Sequence, residues 1–229
     1  IGTNAMKVHT TGERNIAIGT NAMDDTDAGS TSLGSVDNIF IGNNSGGGTW
    51  ADAASSYNVA IGNNTMDAAM NGALYNTAIG HNALSSTTTG DSNVAIGYNA
   101  GTAITTGGGN ISIGVGANDE TTTGGANIAI GTDALGKNNL GSLLTAVGLN
   151  ALEYSGLRGA AAANIYAVGI GYTAGRYQTG SYNTFVGDFA GKGSQTSAPY
   201  GSGTGLVAVG SYALGNTVSG AVSYTHLTL

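Results

Sequence analysis

The chain has 229 residues with 41 glycines, one proline and no cysteine, and six Lys and Arg against 13 Asp and Glu leave a net charge of −7. That balance excludes nucleic-acid binding by a basic surface, which needs clustered cations against the phosphates, and it disfavours an anionic membrane face for the same reason. The lack of cysteine excludes disulfides and thiolate metal sites, and no run approaches the roughly 18 apolar residues that a membrane-spanning helix needs.

In chain order, variants of Asn-x-Ala-Ile-Gly-x-Asn-Ala recur twelve times, centred on Gly2, Gly19, Gly42, Gly62, Gly80, Gly97, Gly114, Gly131, Gly148, Gly171, Gly187 and Gly210. Successive spacings are 17, 23, 20, 18, 17, 17, 17, 17, 23, 16 and 23 residues. A near-fixed period of this size marks stacked rungs, none able to bury its apolar face alone. The predicted fold is all-β, a parallel β-solenoid of about 12 rungs of 16–23 residues, forming one repeat domain over 1–222. At roughly 4.8 Å per rung, the stack would be on the order of 50 Å long. Ile1–Met6 is identical to Ile18–Met23, so the chain is read as opening inside a repeat, as a piece of a longer protein. The tail 223–229 breaks the period, with Leu227 where a glycine is due, and is set aside as a non-native remnant.

Aligned by column, every rung places an aliphatic β-branched residue before its glycine: Ile1, Ile18, Ile41, Ile61, Ile79, Ile96, Ile113, Ile130, Val147, Ile170, Val186 and Val209. Such residues suit a buried strand position, so from Ile18 onward they form the expected rung core. Two residues earlier stand Ile16, Ile39, Val59, Thr77, Val94, Ile111, Ile128, Thr145, Val168, Thr184 and Val207, on the same strand face. Between them the opposite face is nearly all Ala, Ser or Gly, interrupted by Phe40 and Phe185, which would bulge if that face packs between chains. The glycines from Gly19 to Gly210 are the expected structural turns. Three residues after each comes a second small column, often followed by Met or Leu, read as a second strand or a turn that closes the coil. The Asn that opens many rungs (Asn15, Asn38, Asn58, Asn76, Asn93, Asn110, Asn127, Asn183) is read as a structural ladder at a corner rather than a sugar-contacting stripe.

Rungs such as Asn76-Thr77-Ala78-Ile79-Gly80-His81-Asn82-Ala83-Leu84 and Asn93-Val94-Ala95-Ile96-Gly97-Tyr98-Asn99-Ala100 resemble the head repeats of YadA-like trimeric autotransporter adhesins. The longer period is similar to repeats in phage-type tail fibres. The resemblance implies a left-handed β-roll, three chains side by side, an extracellular place on a bacterial surface or virion, and attachment to a host surface without catalysis. The adhesin repeats are shorter and more regular than the 23-residue rungs found here.

The residues supply no catalytic constellation. Gly131–Asn138 approaches a phosphate-binding loop but lacks its terminal Ser or Thr. Asp24, Asp25 and Asp27 do not follow a calcium-loop spacing, and His9, His81 and His226 occupy unrelated rung positions. No enzyme activity, cofactor or metal is expected. The partners expected are two further copies of the chain in a homotrimer and, on the cell surface, a receptor or glycan, with no nucleic acid and no membrane insertion. The alternatives to an adhesive fibre are a carbohydrate-binding solenoid that uses its longer loops (24–37, 46–57, 153–166 and 192–205) and a passive stalk. Candidate surface contacts on those loops are Trp50, Tyr57 and Tyr200.

Overall fold

A computed structural model describes residues 1–9, 12–24, 34–51, 53–155, 166–193 and 201–215. Among these, eleven three-residue strands precede the rung glycines: β1 (Ile16–Ile18), β2 (Ile39–Ile41), β3 (Val59–Ile61), β4 (Thr77–Ile79), β5 (Val94–Ile96), β6 (Ile111–Ile113), β7 (Ile128–Ile130), β8 (Thr145–Val147), β9 (Val168–Ile170), β10 (Thr184–Val186) and β11 (Val207–Val209). Sheet order equals chain order, and the pairs are parallel with like residues facing, as in Ala60↔Ala78 and Ala129↔Ala146. This is the predicted parallel β-solenoid. The twelfth repeat, at Ile1, is a partial rung: its amino terminus donates to Ala17 O, and Gly19 N–H donates to Ile1 O. The chain divides into two compact units, Ile1–Ser112 and Ile113–Leu229, built on the same rung. The tail 223–229 lies outside the described residues.

The strand faces are the reverse of those expected. In every strand the middle residue points inward and its two neighbours point outward. Ala60, Ala78, Ala95, Ala129 and Ala146 are fully buried. The expected core column is instead half-buried at Ile41, Ile113, Val147 and Val186, and exposed at Ile18, Ile61, Ile79, Ile96, Ile130, Ile170 and Val209. The reason is volume. A rung this short encloses little space, and the residue four past the glycine already fills much of it. Met23, Met66, Leu84, Leu135 and Leu152 are buried there beside the small column, so a second branched column has no room inside.

Phe40 and Phe185 are also inside, where they do not bulge outward. In the first unit Phe40 packs edge-on against Trp50, with ring centroids 5.7 Å apart, and the Trp50 indole donates to Gly46 O at 3.1 Å. Their rung carries glycine at the Met/Leu position: a Cβ on Gly46 would lie 2.6 Å from the Phe40 ring. In the second unit a Cβ on Gly191 would lie 2.0 Å from the Phe185 ring, and one on Gly175 would lie 2.6 Å from it. At Phe40 with Gly46 and Phe185 with Gly191 a large strand centre is thus matched by glycine four past the rung glycine, the reverse of Ala60 with Met66 and Ala78 with Leu84.

The segment after each glycine is a turn, not a second strand. The glycine has φ between 119° at Gly210 and 145° at Gly42, followed by left-handed residues two and four positions on, such as Asn82 (59°) and Leu84 (51°). Asn is the non-glycine residue that enters this region most readily. A further left-handed residue, such as Tyr75 (59°), makes the bend before each strand. The predicted turn glycines therefore hold, for a second reason besides φ: a Cβ on Gly80 would sit 2.5 Å from Gly97 O, and one on Gly62 would sit 2.4 Å from Gly80 O.

Gly80→Ala is expected to cost at least about 3 kcal/mol in denaturant unfolding, combining left-handed strain with a backbone clash. Phe40→Ala should cost about 3–5 kcal/mol as a cavity mutation. Adding Gly46→Met, the residue type found at Met23 and Met66 in that column, should recover a large part of the loss; additive costs in the double variant would contradict the exchange.

Candidate functional site

The buried Asn column forms a ladder, continuous from Asn15 to Asn110. In the first unit the amide of each of Asn38, Asn58, Asn76, Asn93 and Asn110 donates to the Oδ1 of the preceding Asn at 3.0–3.2 Å. The backbone N–H of the same five residues donates to that Oδ1 at 2.9–3.0 Å. The amide also reaches a carbonyl of the next rung, as from Asn76 to Gly90 O at 2.8 Å. In the second unit Asn127 Oδ1 accepts from Leu144 N–H and Asn183 Oδ1 from Leu206 N–H, so the ladder ends on a backbone donor where the next rung has no Asn. These side chains are saturated and buried, which gives the Asn column its structural role and removes it as a ligand surface.

Much of what the rungs present outward is apolar. The two flanking strand columns are joined by the residue after the glycine, exposed at Tyr98, Val115, Leu149 and Tyr172, and by the bend residue, exposed at Tyr57, Tyr75, Leu143, Tyr166 and Tyr182. In the bend column neighbouring side chains pair in register. Arg14 forms a two-pronged pair with Asp37 at 2.6 and 2.8 Å, Tyr57 stacks on Tyr75, and Tyr166 stacks on Tyr182. The Arg14 guanidinium holds the Asp37 carboxyl below its ordinary range. At the other corner His81 stacks on Tyr98 and Phe189 on Tyr212.

The predicted contact residues divide. Tyr57 is exposed at a bend. Trp50 is fully buried against Phe40 and is corrected to a core residue: it stands eight residues past its rung glycine, as Met70 does in the next rung, and both side chains fill the interior. Tyr200 lies outside the described residues, as does most of the loops 24–37, 153–166 and 192–205. The sequence reading missed Tyr75, Tyr166 and Tyr182, although each stands five residues before a rung glycine, as Tyr57 does.

Three of the cations form structural pairs, Arg14 among them. Lys137 of the near-match phosphate loop pairs with Glu120 at 2.8 Å, and Gly131 stacks under Gly148 like the rest of its column. Arg176 pairs with the buried Glu153 at 2.5 Å and lies 5.1 Å from the centroid of Tyr177. Of the three aspartates considered for calcium, Asp25 and Asp27 lie outside the described residues, as does His226. Among the described residues no three His, Asp or Glu side chains gather as metal ligands, and no helix is long and apolar enough to cross a membrane. Comparison with protein-family models, curated proteins and solved structures finds no match.

Burial pushes the Asp119 carboxyl up to about 6; Lys137 opposes the shift, and Glu120 and Asp133 add to it. A carboxyl with its folded pKa raised favours folding fully below its unfolded pKa, and that contribution is lost as pH rises through about 6. Asp119→Asn is therefore expected to raise Tm by roughly 2 °C at alkaline pH and to leave it nearly unchanged at a pH below the ordinary Asp range. Thermal melts of both chains across that window check the sign.

Proposed function

We propose that this chain is a segment of an adhesive surface fibre, of the kind used by bacterial adhesins or phage tails, in which three copies associate through their outward strand faces. The observation that carries the reading is the Ile/Val face itself: Ile61, Ile79 and Ile96 in one unit and Ile130 and Ile170 in the other remain 37–40% exposed on a single chain. Repeated on rung after rung within each unit, such a face is a contiguous apolar patch of the kind that marks an interaction surface. A second chain covering it would offer the same β-branched residues at the same spacing, which favours a symmetric contact between copies. The resemblance to trimeric adhesin repeats supports three copies, and the low charge content of 8% suits packing side by side. In this reading the rungs carry the load and space the attachment point from the cell or virion, with no catalytic step.

The contact moves from the small-residue face to the branched face, since the former is already filled inside each coil. Sedimentation equilibrium on the whole chain is expected to give a trimer. Ile79→Lys with Ile96→Lys should shift it towards monomer while the circular dichroism of the strands persists, because both side chains lie on the outer face. A wild-type chain that sediments as a stable folded monomer would refute the assembly.

A further inference from the structure

The bend column carries two aromatic pairs with the same geometry, one in each unit. Tyr57 and Tyr75 stack with ring centroids 5.0 Å apart and planes 6° apart; Tyr166 and Tyr182 do so at 5.2 Å and 5°. The later ring is the more exposed in both pairs, Tyr75 at 58% and Tyr182 at 66%. Both stacks also end on a residue too small to cover that ring. Ser92 follows Tyr75 in the column, with Gly109 after it, and Gly205 follows Tyr182. Among the described residues even a Cβ on Gly205 would meet nothing within 4 Å.

Among the described residues nothing covers the outer face of either terminal ring, while its inner face is fixed by a partner tyrosine. Polar groups lie beside the open faces. Asp91, which holds Leu74 N–H at 2.7 Å, and Ser92 are exposed in the first unit, and Thr204 is exposed beside Gly205 in the second.

We propose that Tyr75 and Tyr182 are the platforms of two equivalent binding sites for a neutral oligosaccharide, each seating one pyranose ring on the open aromatic face. The chemistry fits on three counts. A sugar ring presents a flat C–H face to the electron-rich face of an aromatic ring and turns its hydroxyls sideways, to where the Ser, Thr and Asp groups stand. A tyrosine already stacked on its neighbour loses little further freedom on binding, so its surface is preorganised. Asp91 beside Tyr75 and the chain's net charge of −7 disfavour an acidic sugar. The bend precedes the strand, so the sites border the flat Ile/Val face without occupying it. The proposal rests on the reading of the chain as an attachment fibre and places recognition on the rungs themselves, not on the long loops.

The test is binding of the whole chain to an array of short neutral gluco-, galacto- and manno-oligosaccharides, with affinities measured for the hits and oligomeric state measured on the same samples. Wild type is expected to bind members of the array. Tyr75→Ala with Tyr182→Ala should weaken those hits at least about tenfold with assembly unchanged, and Tyr75→Phe with Tyr182→Phe should retain most of the affinity because the ring remains. Equal binding by the double alanine variant would overturn the proposal, as would an assembled wild-type chain that binds nothing on the array. The second result would leave the fibre reading standing, whereas loss of assembly in wild type would refute the fibre whatever the array shows.

Discussion

Glycine stacked directly on glycine is the constraint on which the rest of this structure depends. A Cβ on any rung glycine from Gly2 to Gly80 would fall between 2.1 and 2.5 Å from the backbone of the next. The rungs can approach to hydrogen-bonding distance at that corner for this reason alone. Close approach fixes the register, and in-register stacking places Asn on Asn, Ala on Ala and Tyr on Tyr. The ladder hydrogen bonds, the narrow interior and the aromatic stacks all follow from it. The positive φ that each glycine adopts also sets up the left-handed residues after it, which close the turn within a few residues.

The narrow interior then determines which side chains face which way. In many rungs two inward positions share a volume: the strand centre, and the residue four past the glycine. Ala with Met or Leu fills it, and so does Phe with Gly. The branched residues on either side of the strand centre are thereby displaced outward. They form an apolar outward surface, the one on which the proposed association of copies rests.

Much of this was legible in the sequence. The period fixed the solenoid, the column of glycines fixed the turns, and a recurring Asn at a corner has a sufficient structural reason to be there. The sense of the strand was not legible, because alternation shows that two faces differ without showing which is inside. Hydrophobicity argued for Ile96 inward and Ala95 outward. Interior volume, which depends on how tightly the coil closes at Gly97, reversed that choice. Trp50 failed for a related reason: an aromatic on a glycine-rich loop reads as exposed until the Phe40 and Gly46 exchange shows the space it fills. The tyrosine stacks could have been found by aligning the fifth residue before each glycine, where Tyr57, Tyr75, Tyr166 and Tyr182 coincide.

The central claim is that the small column lies inside each coil and the branched column outside. Because the chain has no cysteine, single thiols report this directly, and Ser112 shows that a side chain of that size fits the inward column. Thiol-reagent labelling of Ala95→Cys and Ile96→Cys under native conditions is the most direct measurement. Ala95→Cys should remain unmodified until the chain unfolds, whereas Ile96→Cys should either label or be consumed in a disulfide between copies. A reactive Ala95→Cys beside a protected, monomeric Ile96→Cys would contradict the account.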